Sequence, residues 1–243
     1  MGKIFAIILT FCGVSLAIPA TAEEVHSSYK IDFSAKETRS GRDFPKGWSE
    51  KGTKWGVPNT LFYIKKDESN GNGNVLVVEA NKATGAIIYD VYRHVNLSKT
   101  PIMRWRWRVQ ELPTGADGRN PEKDDQAVSI YVGMGSLIRK SIAYRWETET
   151  PIGASGNACY GGGLVKVTWF CTNNKTTPAG KWIVLERNIA EDFKKIYGEV
   201  PREFVVSVGG NSQYTQSRAM AEINYIEFVP LSESGKNITT AQK

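Results

Sequence analysis

The amino-acid sequence predicts an all-β protein, a jelly-roll-like β-sandwich of antiparallel strands with one short helix. Roughly ten short segments alternate apolar and polar residues with the period of two that an extended strand imposes. Turn signals rich in Gly, Pro, Asn and Asp separate these segments. A single segment carries both a helical period and helix caps, whereas a parallel α/β fold would need a helix between most of its strands. Together these observations are typical of a sandwich or jelly roll.

The first 22 residues have the pattern of an export signal. Lys3 provides the positive charge, Ile4–Ala17 the apolar run, and Ala20–Ala22 the small residues before a cleavage site. The apolar run is shorter than the stretch of about 20 residues that spans a bilayer, and no later run is as long, so no transmembrane segment is expected. We expect cleavage near Ala22 and a periplasmic or secreted protein. A lipoprotein signal with Cys12 as the lipidated residue is the weaker alternative, because the bulky Phe11 precedes that cysteine.

The remaining 221 residues (243 − 22) are expected to form a single domain over residues 23–230, followed by a flexible tail over residues 231–243. A chain of this size buries enough apolar surface to fold without a metal or a disulfide. Its net charge falls from +6 to +5 when Lys3 is removed, and charges of both signs are interspersed. This pattern argues against nucleic acid as a partner, and it leaves the oligomeric state open.

The first part of the domain contains five predicted strands. They are Ser28–Phe33, Thr60–Ile64, Val75–Ala80, Gly85–Val91 and Pro101–Val109. The irregular stretch Ser40–Pro58 contains Trp48 and Trp55, and aromatic residues in such a loop usually plug the end of a sandwich and less often form a platform for sugars. The polar run Asp67–Asn74 is typical of a hairpin loop.

Pro101–Val109 has the strongest strand pattern, because apolar and cationic residues alternate along it and therefore point to opposite faces. The apolar face carries Met103, Trp105, Trp107 and Val109, and the cationic face carries Arg104, Arg106 and Arg108. Two indoles need an apolar layer beneath them, whereas charge is not buried unpaired. We therefore expect the tryptophans in the interior and the arginines facing outward.

Six more strands and the helix are predicted after a loop over Glu111–Lys123 that is rich in Pro and Gly. The strands are Gln126–Gly133, Lys140–Glu147, Gly163–Cys171, Lys181–Arg187, Glu203–Gly209 and Ala219–Phe228. The helix is expected over Ile189–Tyr197, because Asn188 can cap its first turn, Glu191 completes a capping box and Gly198 can end it.

Cys159 and Cys171 are the cysteines that remain when the export signal is removed, in a compartment that permits disulfides. A bridge between them would close a short loop and contribute about 3 kcal/mol at most. Two reduced cysteines are the alternative. Neither cysteine is near a histidine in the sequence, so neither a cysteine protease nor a zinc site is expected. No metal or other cofactor is predicted.

Several short motifs, in their order and spacing, resemble a bacterial secreted family catalogued as domain of unknown function 3047. The motifs are Trp105-Arg106-Trp107-Arg108-Val109, Asp124-Asp125-Gln126-Ala127 with Tyr131, Tyr144-x-Trp146 before Pro151-x-Gly153, Trp182, Asn188-x-x-x-Asp192 and Ile223-x-x-Ile226-x-Phe228. The resemblance covers about Tyr29 to Phe228 and implies a secreted β-sandwich with no established activity. This chain departs from it at Asn211–Thr215, where an Asp-rich segment is expected; if that segment binds a cation in relatives, this member lacks the ligands.

If the strands around Trp105 are neighbours in one sheet, their outward side chains form a candidate ligand-binding face. We assign to this face Arg104, Arg106, Arg108, Tyr131, Arg145 and Glu147. Guanidinium groups bind carboxylates, sulfates or phosphates through paired hydrogen bonds, so an anionic glycan or another component of the cell envelope would suit it. The alternative is a lattice of salt bridges to carboxylates such as Glu147, Glu149 and Glu186, each contributing about 0.2–1 kcal/mol.

Catalytic signals are weak, and we assign no catalytic residue. Asp124 and Asp125 could bind calcium but lack the spacing of a dedicated loop, so they are expected in a turn. Neighbouring residues of a strand point away from each other, so these carboxylates do not establish a glycosidase pair. Tyr131 or Tyr144 could serve as the base of a polysaccharide lyase in which arginines neutralise a uronate, with assistance from His94.

The sequence therefore favours a secreted, non-catalytic β-sandwich that binds a glycan or an anionic envelope component through its arginine-bearing face. A jelly-roll polysaccharide lyase or hydrolase is the alternative. A structural envelope protein without a small ligand is the third hypothesis.

Overall fold

The computed structural model describes residues 28–34, 43–67, 69, 73–135 and 139–236. The predicted export signal, with Cys12, and residues 237–243 of the predicted tail lie outside these residues, so the expectations about them stay predictions. Within the described residues the chain forms thirteen strands and one α-helix. The strands are β1 (Tyr29–Asp32), β2 (Ser49–Lys51), β3 (Leu61–Lys66), β4 (Asn74–Asn81), β5 (Thr84–Tyr89), β6 (Ile102–Glu111), β7 (Gln126–Met134), β8 (Arg139–Trp146), β9 (Ser155–Tyr160), β10 (Val165–Asn173), β11 (Ile183–Asn188), β12 (Val205–Asn211) and β13 (Arg218–Val229). The helix α1 is Ile189–Tyr197.

The strands form two sheets that face each other as a sandwich, which confirms the predicted fold class. A six-stranded sheet has the order β11-β6-β13-β4-β3, and β1 also pairs with β13. A seven-stranded sheet has the order β2-β5-β12-β7-β8-β10-β9. Neighbouring strands are antiparallel except β8 and β10, which are parallel. After β8 the chain forms the edge strand β9, and β10 then runs antiparallel to β9 in the position between β8 and β9.

The core between the sheets is built on the tryptophans of β6, as their alternation with arginine predicts. Trp105 and Trp107 are fully buried. Trp105 stacks on Tyr144 of the opposite sheet with ring centroids 5.3 Å apart, and Trp107 packs on Trp146 at 5.8 Å. Aromatic pairs at these distances add about 0.5–1.5 kcal/mol to the free energy gained by burying the rings. Because side chains alternate along a strand, this layer fixes which residues of β6 and β8 face the core and which face outward.

The single helix has the predicted bounds and caps. The Asn188 side chain accepts a hydrogen bond from the Glu191 backbone N–H at 3.1 Å, and Gly198 ends the helix in the left-handed conformation with φ of 79°. Asp192 on the helix accepts two hydrogen bonds from Arg187 at 3.0 and 2.8 Å and one from the Tyr144 hydroxyl at 2.6 Å. The helix is therefore tied to both sheets.

Two short strands were not predicted from the sequence. β2 is three exposed polar residues that pair with β5, so no apolar period marks it. β9 contains Gly156, which interrupts the strand propensity expected of a β-run. A β-carbon on Gly156 would lie 2.4 Å from the Trp169 ring of β10, so glycine is required for that ring to lie against β9.

The two cysteines do not form the disulfide that the sequence allowed. Both are free, with Cys159 exposed and Cys171 buried. Cys159 lies opposite Lys166 on β10, and Cys171 is five residues further along that strand. That separation is roughly 16 Å along a strand, whereas a disulfide needs Cα atoms no more than about 7 Å apart. Burial raises the pKa of the Cys171 thiol to about 12.

Candidate functional site

The arginines of β6 lie on the outer face of the six-stranded sheet, and neighbouring strands cover them with carboxylates. β6 pairs with β11 and β13, which places Arg104 between Glu186 and Glu227. The Arg104 guanidinium donates to each of these carboxylates at 3.2 Å and to the backbone carbonyl of Glu233 at 2.8 Å. Only 2% of Arg104 is exposed. Arg104 therefore lies on the outer face of the sheet but is shielded from solvent by its partners.

Arg108 is held in the same way at the other end of this face. Its guanidinium contacts Glu222 and donates to Asp67 at 3.0 Å and to the Ser69 hydroxyl at 2.6 Å. Lys65 approaches the same Glu222 carboxylate at 2.7 Å. Burial by itself would raise the pKa of Glu222, but its bonds with Lys65 and Arg108 outweigh this and lower the pKa.

Trp182 and Asn224 complete the covering of the arginine face. The Trp182 ring lies 4.7 Å from the guanidinium carbon of Arg106 and 4.4 Å from that of Arg108. Arg106 is half-buried and donates to the Asn224 side chain at 3.3 Å. Arg104 and Arg108 thus face outward from the sheet, as predicted, but each is desolvated by partners from adjacent strands. This outer surface is a salt-bridge lattice, with a cleft of about 380 Å³ lined by Arg108, Lys65 and Glu222 among others.

The other predicted site residues lie on the opposite side of the molecule, so the expected common face does not exist. Tyr131 on β7 and Arg145 on β8 belong to the seven-stranded sheet. Because Trp105 and Tyr144 face each other across the core, Arg104 and Arg145 point outward in opposite directions. Whether any of the six residues binds a ligand stays a prediction.

Arg145 is the centre of a hydrogen-bonded network on this second outer face. Its side chain has no exposed surface. It donates to Asp124 at 2.7 Å and to the Tyr160 hydroxyl at 2.8 Å, and the Tyr160 hydroxyl in turn donates to Asp124 at 2.7 Å. The guanidinium carbon lies 5.4 Å from the centroid of the Trp169 ring. Burial alone would lower the pKa of Arg145, but the surrounding Tyr and acidic groups raise it above its ordinary value.

Glu147, the last predicted site residue, is an internal anchor. Its carboxylate accepts from the Gly118 backbone N–H at 2.8 Å, contacts the Thr150 hydroxyl, and lies 3.4 Å from Arg145. A β-carbon on Gly118 would lie 2.6 Å from this carboxylate, so only glycine lets the loop approach so closely. Glu147 is fully buried and holds the loop over residues 112–125 against the end of β8.

Asp125 lies between the short turn Pro121–Lys123 and the start of β7, and it holds the loop after β12. Its carboxylate accepts from the backbone N–H groups of Tyr214 and Thr215 at 3.2 and 2.7 Å and from the Thr215 hydroxyl at 2.7 Å. Asn211 donates to the backbone carbonyl of Asp124 at 3.1 Å. The segment Asn211–Thr215, where the chain departs from the expected Asp-rich pattern, thus supports the two aspartates by hydrogen bonds. Burial raises the pKa of Asp125.

Partly exposed aromatic residues surround this network. We use the name tyrosine face for the surface formed by Tyr131, Tyr160 and Tyr214 around the Asp124–Arg145 pair. Tyr131 and Tyr160 are half-buried, and Tyr214 is 39% exposed. The Lys54 ammonium lies 5.7 Å from the centre of the Tyr214 ring. Trp55 follows Lys54 in the chain and is fully exposed.

Sequence reasoning missed Tyr160 and Tyr214 and left the role of Trp55 open. Of the two tryptophans in the loop before β3, Trp48 is 3% exposed and plugs the core, as is usual, whereas Trp55 faces solvent. The composition of the loop gives no signal that separates these roles. Tyr160 lies on the unpredicted strand β9, and Tyr214 lies in a loop whose position depends on Asp125, distant in sequence.

Of the residues considered for catalysis, Tyr131 belongs to the tyrosine face, whereas Tyr144 and His94 do not. Tyr144 is buried in the core, and burial raises the pKa of its phenol. His94 is exposed and stacks on Tyr29 with ring centroids 4.7 Å apart. Within the described ranges no three or more His, Cys, Asp or Glu residues are grouped so that they could hold a metal ion. Among the same residues no helix has the length and apolar character needed to cross a bilayer.

Comparison with known proteins gives a family match and several distant structural likenesses. The model of the family described as "Protein of unknown function (DUF3047)" matches residues 46–227. No curated protein matches the sequence. The CBM22-1 xylan-binding domain from Paenibacillus barcinonensis Xyn10C is 11% identical with a TM-score of 0.41, over 86% of this chain and 98% of that domain.

Two further solved structures are similar at the same level. The K2 cleaved adhesin domain of Lys-gingipain, a protein of Porphyromonas gingivalis, is 12% identical with a TM-score of 0.40, over 84% of this chain and 99% of that one. A cellulase derived from Cel12A of Rhodothermus marinus is 14% identical with a TM-score of 0.39, over 82% of this chain and 100% of that one. Likenesses this distant carry no information about the ligand of this chain.

Proposed function

This chain belongs to the family of proteins of unknown function DUF3047, and from that premise we propose that it is a non-catalytic glycan-binding protein whose binding surface is the tyrosine face. The observation that carries the proposal is the exposed Tyr214 side chain beside a rigid polar network, with the fully exposed Trp55 next to Lys54, whose ammonium lies 5.7 Å from the Tyr214 ring. Sugar rings present C–H groups that pack on aromatic rings and hydroxyl groups that need hydrogen-bond partners. An exposed aromatic surface rimmed by polar groups is a common form of binding site.

The tyrosine face is preorganised, which reduces the entropy lost on binding. The backbone of Tyr214 is fixed by Asp125, and the Tyr160 hydroxyl is fixed between Asp124 and Arg145. Tyrosine and tryptophan have few rotatable bonds, so they offer a large contact area at a low entropic cost. These properties suit a surface that recognises a flexible polysaccharide.

The arginine face of the six-stranded sheet has less support as a binding surface. Arg104 and Arg108 already have carboxylate partners, and Trp182 covers the middle of the face. An incoming anion would have to displace these carboxylates. We propose instead that the salt bridges of this face form a lattice that stabilises the sheet, which was the alternative to a ligand-binding face.

The polysaccharide lyase alternative also has less support. A tyrosine that acts as base must lose its proton, but Tyr144, one of the two candidate bases, lies inside the core, where burial raises its pKa. The other candidate, Tyr131, covers Gly209 on the outer face of the opposite sheet from Arg104, Arg106 and Arg108, so those arginines cannot neutralise a uronate beside it. If the protein released unsaturated uronate from acidic polysaccharides, measured by ultraviolet absorbance, the lyase alternative would be supported.

The export-signal pattern over residues 1–22 supports a location in the periplasm or outside the cell. Edman sequencing or mass spectrometry of the protein from a bacterial host that expresses the full chain tests this. A mature N-terminus at Glu23 is expected, and an intact Met1 in the cytoplasmic fraction would contradict it.

Affinity electrophoresis on gels that contain soluble polysaccharides tests the proposed function. We expect Trp55→Ala and Tyr214→Ala each to weaken retention by about tenfold, since one well-placed aromatic contact contributes about 1.4 kcal/mol or more. Leu231→Ala is the matched control, because Leu231 is 63% exposed and lies near Arg104 on the opposite side of the sandwich. Retention that is unchanged in both aromatic variants, or no retention by any polysaccharide, would reject the proposal.

A further inference from the structure

Three buried polar atoms on the outer face of the seven-stranded sheet have no hydrogen-bond partner among the described residues. They are Ser129 Oγ, Arg145 Nε and Gln126 Oε1. The exposed fractions of the three residues are 0%, 0% and 4%. Most buried polar atoms in native proteins are paired, so a group of three unpaired atoms on one face needs a physical explanation.

The three residues lie around the Tyr131 side chain. Ser129 on β7 and Arg145 on β8 lie directly opposite each other in the sheet register. On the other side of Ser129 lies Gly209 of β12, where a β-carbon would come within 3.2 Å of Cε2 of the Tyr131 ring. The ring thus occupies the space where a side chain would stand. Gln126 donates to the Tyr131 hydroxyl at 3.5 Å, the long limit for a hydrogen bond.

Resting on the proposed function, we propose that Ser129, Arg145 and Gln126 form a subsite that opens when the Tyr131 ring moves off Gly209 and that takes the hydroxyl groups of a neutral sugar residue. The three atoms have no partner while the Tyr131 ring covers them, and they bind the ligand once the ring has moved. The subsite lies beneath one edge of the tyrosine face, so a polysaccharide that packs on Trp55 and Tyr214 extends toward it.

The chemistry of the three atoms selects a hydroxyl group. Arg145 Nε is a donor, Gln126 Oε1 is an acceptor, and the Ser129 hydroxyl can be either. A sugar hydroxyl both donates and accepts, so neighbouring hydroxyl groups can satisfy all three atoms. A carboxylate only accepts, and it would leave Gln126 Oε1 facing an anion.

The surrounding charges also disfavour a uronate. The positive charge of Arg145 is already balanced by Asp124 at 2.7 Å and Glu147 at 3.4 Å. Asp125 adds a further carboxyl group beside Asp124. An acidic sugar would therefore approach a region with a surplus of carboxylates, and like charges at short range repel. This selectivity is the reverse of the one expected when the arginines were assigned to a solvent-facing surface.

A comparison of neutral and acidic polysaccharides with a shared backbone tests the selectivity on the unaltered protein. Suitable pairs are hydroxyethyl cellulose with carboxymethyl cellulose, and methyl-esterified polygalacturonate with polygalacturonate, each assayed by affinity electrophoresis in 0.15 M salt, an ionic strength that screens charges over about 8 Å. Retention by a neutral member at least tenfold stronger than by its acidic partner is expected. Equal or stronger retention by the acidic member overturns this inference and leaves the proposed function standing. No retention by any of them overturns both.

Ser129→Ala tests the subsite itself. The variant is expected to bind the neutral polysaccharide about five- to tenfold more weakly, as the loss of one hydrogen bond predicts. Its melting temperature is expected to stay the same or rise, because an unpaired hydroxyl is removed from a buried position. Ser141→Ala is the matched control: Ser141 is a buried serine on the same sheet, opposite Gly133, and its loss is expected to leave binding unchanged.

The variants separate the two levels of the proposal. If Trp55→Ala weakens binding and Ser129→Ala does not, the glycan binds the tyrosine face without entering the subsite, and the inference is wrong. A fall of the melting temperature in Ser129→Ala would show that the hydroxyl is already paired in the free protein, which also contradicts it.

Discussion

At the scale of single residues, the charged groups of this protein serve mainly to hold strands together. Arg104 and Arg108 occupy positions that alternate with buried indoles, and each finds a carboxylate on a neighbouring strand. A buried cation without a partner would cost several kcal/mol, so the pairing follows from the burial. The same reasoning applies to Arg145 on the opposite sheet, whose partner Asp124 comes from a loop.

Glu222→Gln tests this role through its dependence on pH. The pKa of Glu222 is lowered from its ordinary 4.5 in the folded protein, so its contribution to stability is present above pH 4.5 and is lost as the pH falls through the folded value. At pH 7 we expect the variant to be about 2–3 kcal/mol less stable in urea unfolding, because Asp67 still neutralises Arg108.

The difference between the wild type and Glu222→Gln should shrink as the pH falls toward 3, since the wild-type carboxylate is then progressively protonated. Glu203→Gln is the control, because Glu203 is exposed, and its effect should be small at both pH values. If the difference in free energy of unfolding between Glu222→Gln and the wild type were the same at pH 7 and pH 3, the ionised Glu222 would not be what stabilises the protein.

At the scale of elements, the structure depends on a few points where a loop or helix is tied to a strand. The loop over residues 112–125 is held by Glu147, the loop after β12 by Asp125, and the helix by Asp192. Each of these carboxylates accepts backbone or guanidinium N–H groups, which are the stronger hydrogen bonds in proteins. Tyr214 of the tyrosine face, and the Asp124 that the face surrounds, lie on loops fixed in this way.

Gly118→Ala should release the first of these loops. The new methyl group would come within 2.6 Å of the Glu147 carboxylate, so the backbone N–H bond to Glu147 must break. A loss of about 2–4 kcal/mol is expected in thermal or urea unfolding, because a buried carboxylate loses a partner. Gly115→Ala in the same loop meets no atom within 4 Å and should cost less, although its φ of +67° favours glycine. Equal losses in the two variants would argue against the clash.

Asn188→Ala should destabilise the helix by about 1 kcal/mol, the usual value for the loss of an N-cap. The side chain of Asn188 accepts the Glu191 N–H, and alanine leaves that group without a partner. Differential scanning calorimetry measures the effect, and Asn188→Asp should restore stability because aspartate caps equally well. If Asn188→Ala had the same melting temperature as the wild type, the capping role would be contradicted.

The elements also show what a sequence pattern can and cannot predict. The indole face of β6 and the caps of the helix were predicted correctly, because both depend on residues close in sequence and on fixed backbone periods. The pairing of β6 with β13 depends on residues more than a hundred positions apart, so the pattern of β6 could not identify Glu222 or Glu227 as partners. The same limit produced the wrong grouping of Arg104 with Arg145, because alternation identifies a face without identifying the sheet.

At the scale of the whole molecule, the two sheets are joined by an aromatic layer. Trp105, Trp107, Tyr144 and Trp146 are fully buried at its centre. The indole N–H groups of the three tryptophans have no partner among the described residues, so the layer depends on packing and on apolar burial. Removal of one of these rings affects both sheets at once.

Trp107→Ala is expected to lower the free energy of unfolding by about 3–5 kcal/mol, since it removes apolar contact and leaves a large cavity. Trp107→Phe should lose less, because it leaves a smaller cavity and removes an unpaired N–H donor. Urea unfolding followed by near-ultraviolet circular dichroism measures both. A larger loss for phenylalanine than for alanine would show that the indole N–H has a partner.

The position of β13 has a consequence for how the protein reaches its native state. This strand, the last among the described residues, lies in the middle of the six-stranded sheet, between β6 on one side and β4 with β1 on the other. A ribosome must therefore finish almost the whole polypeptide before that sheet can close, and the earlier strands wait with open edges in the meantime. A nascent chain that lacks β13 cannot complete this sheet, so its unpaired strand edges are the part that a chaperone would have to protect.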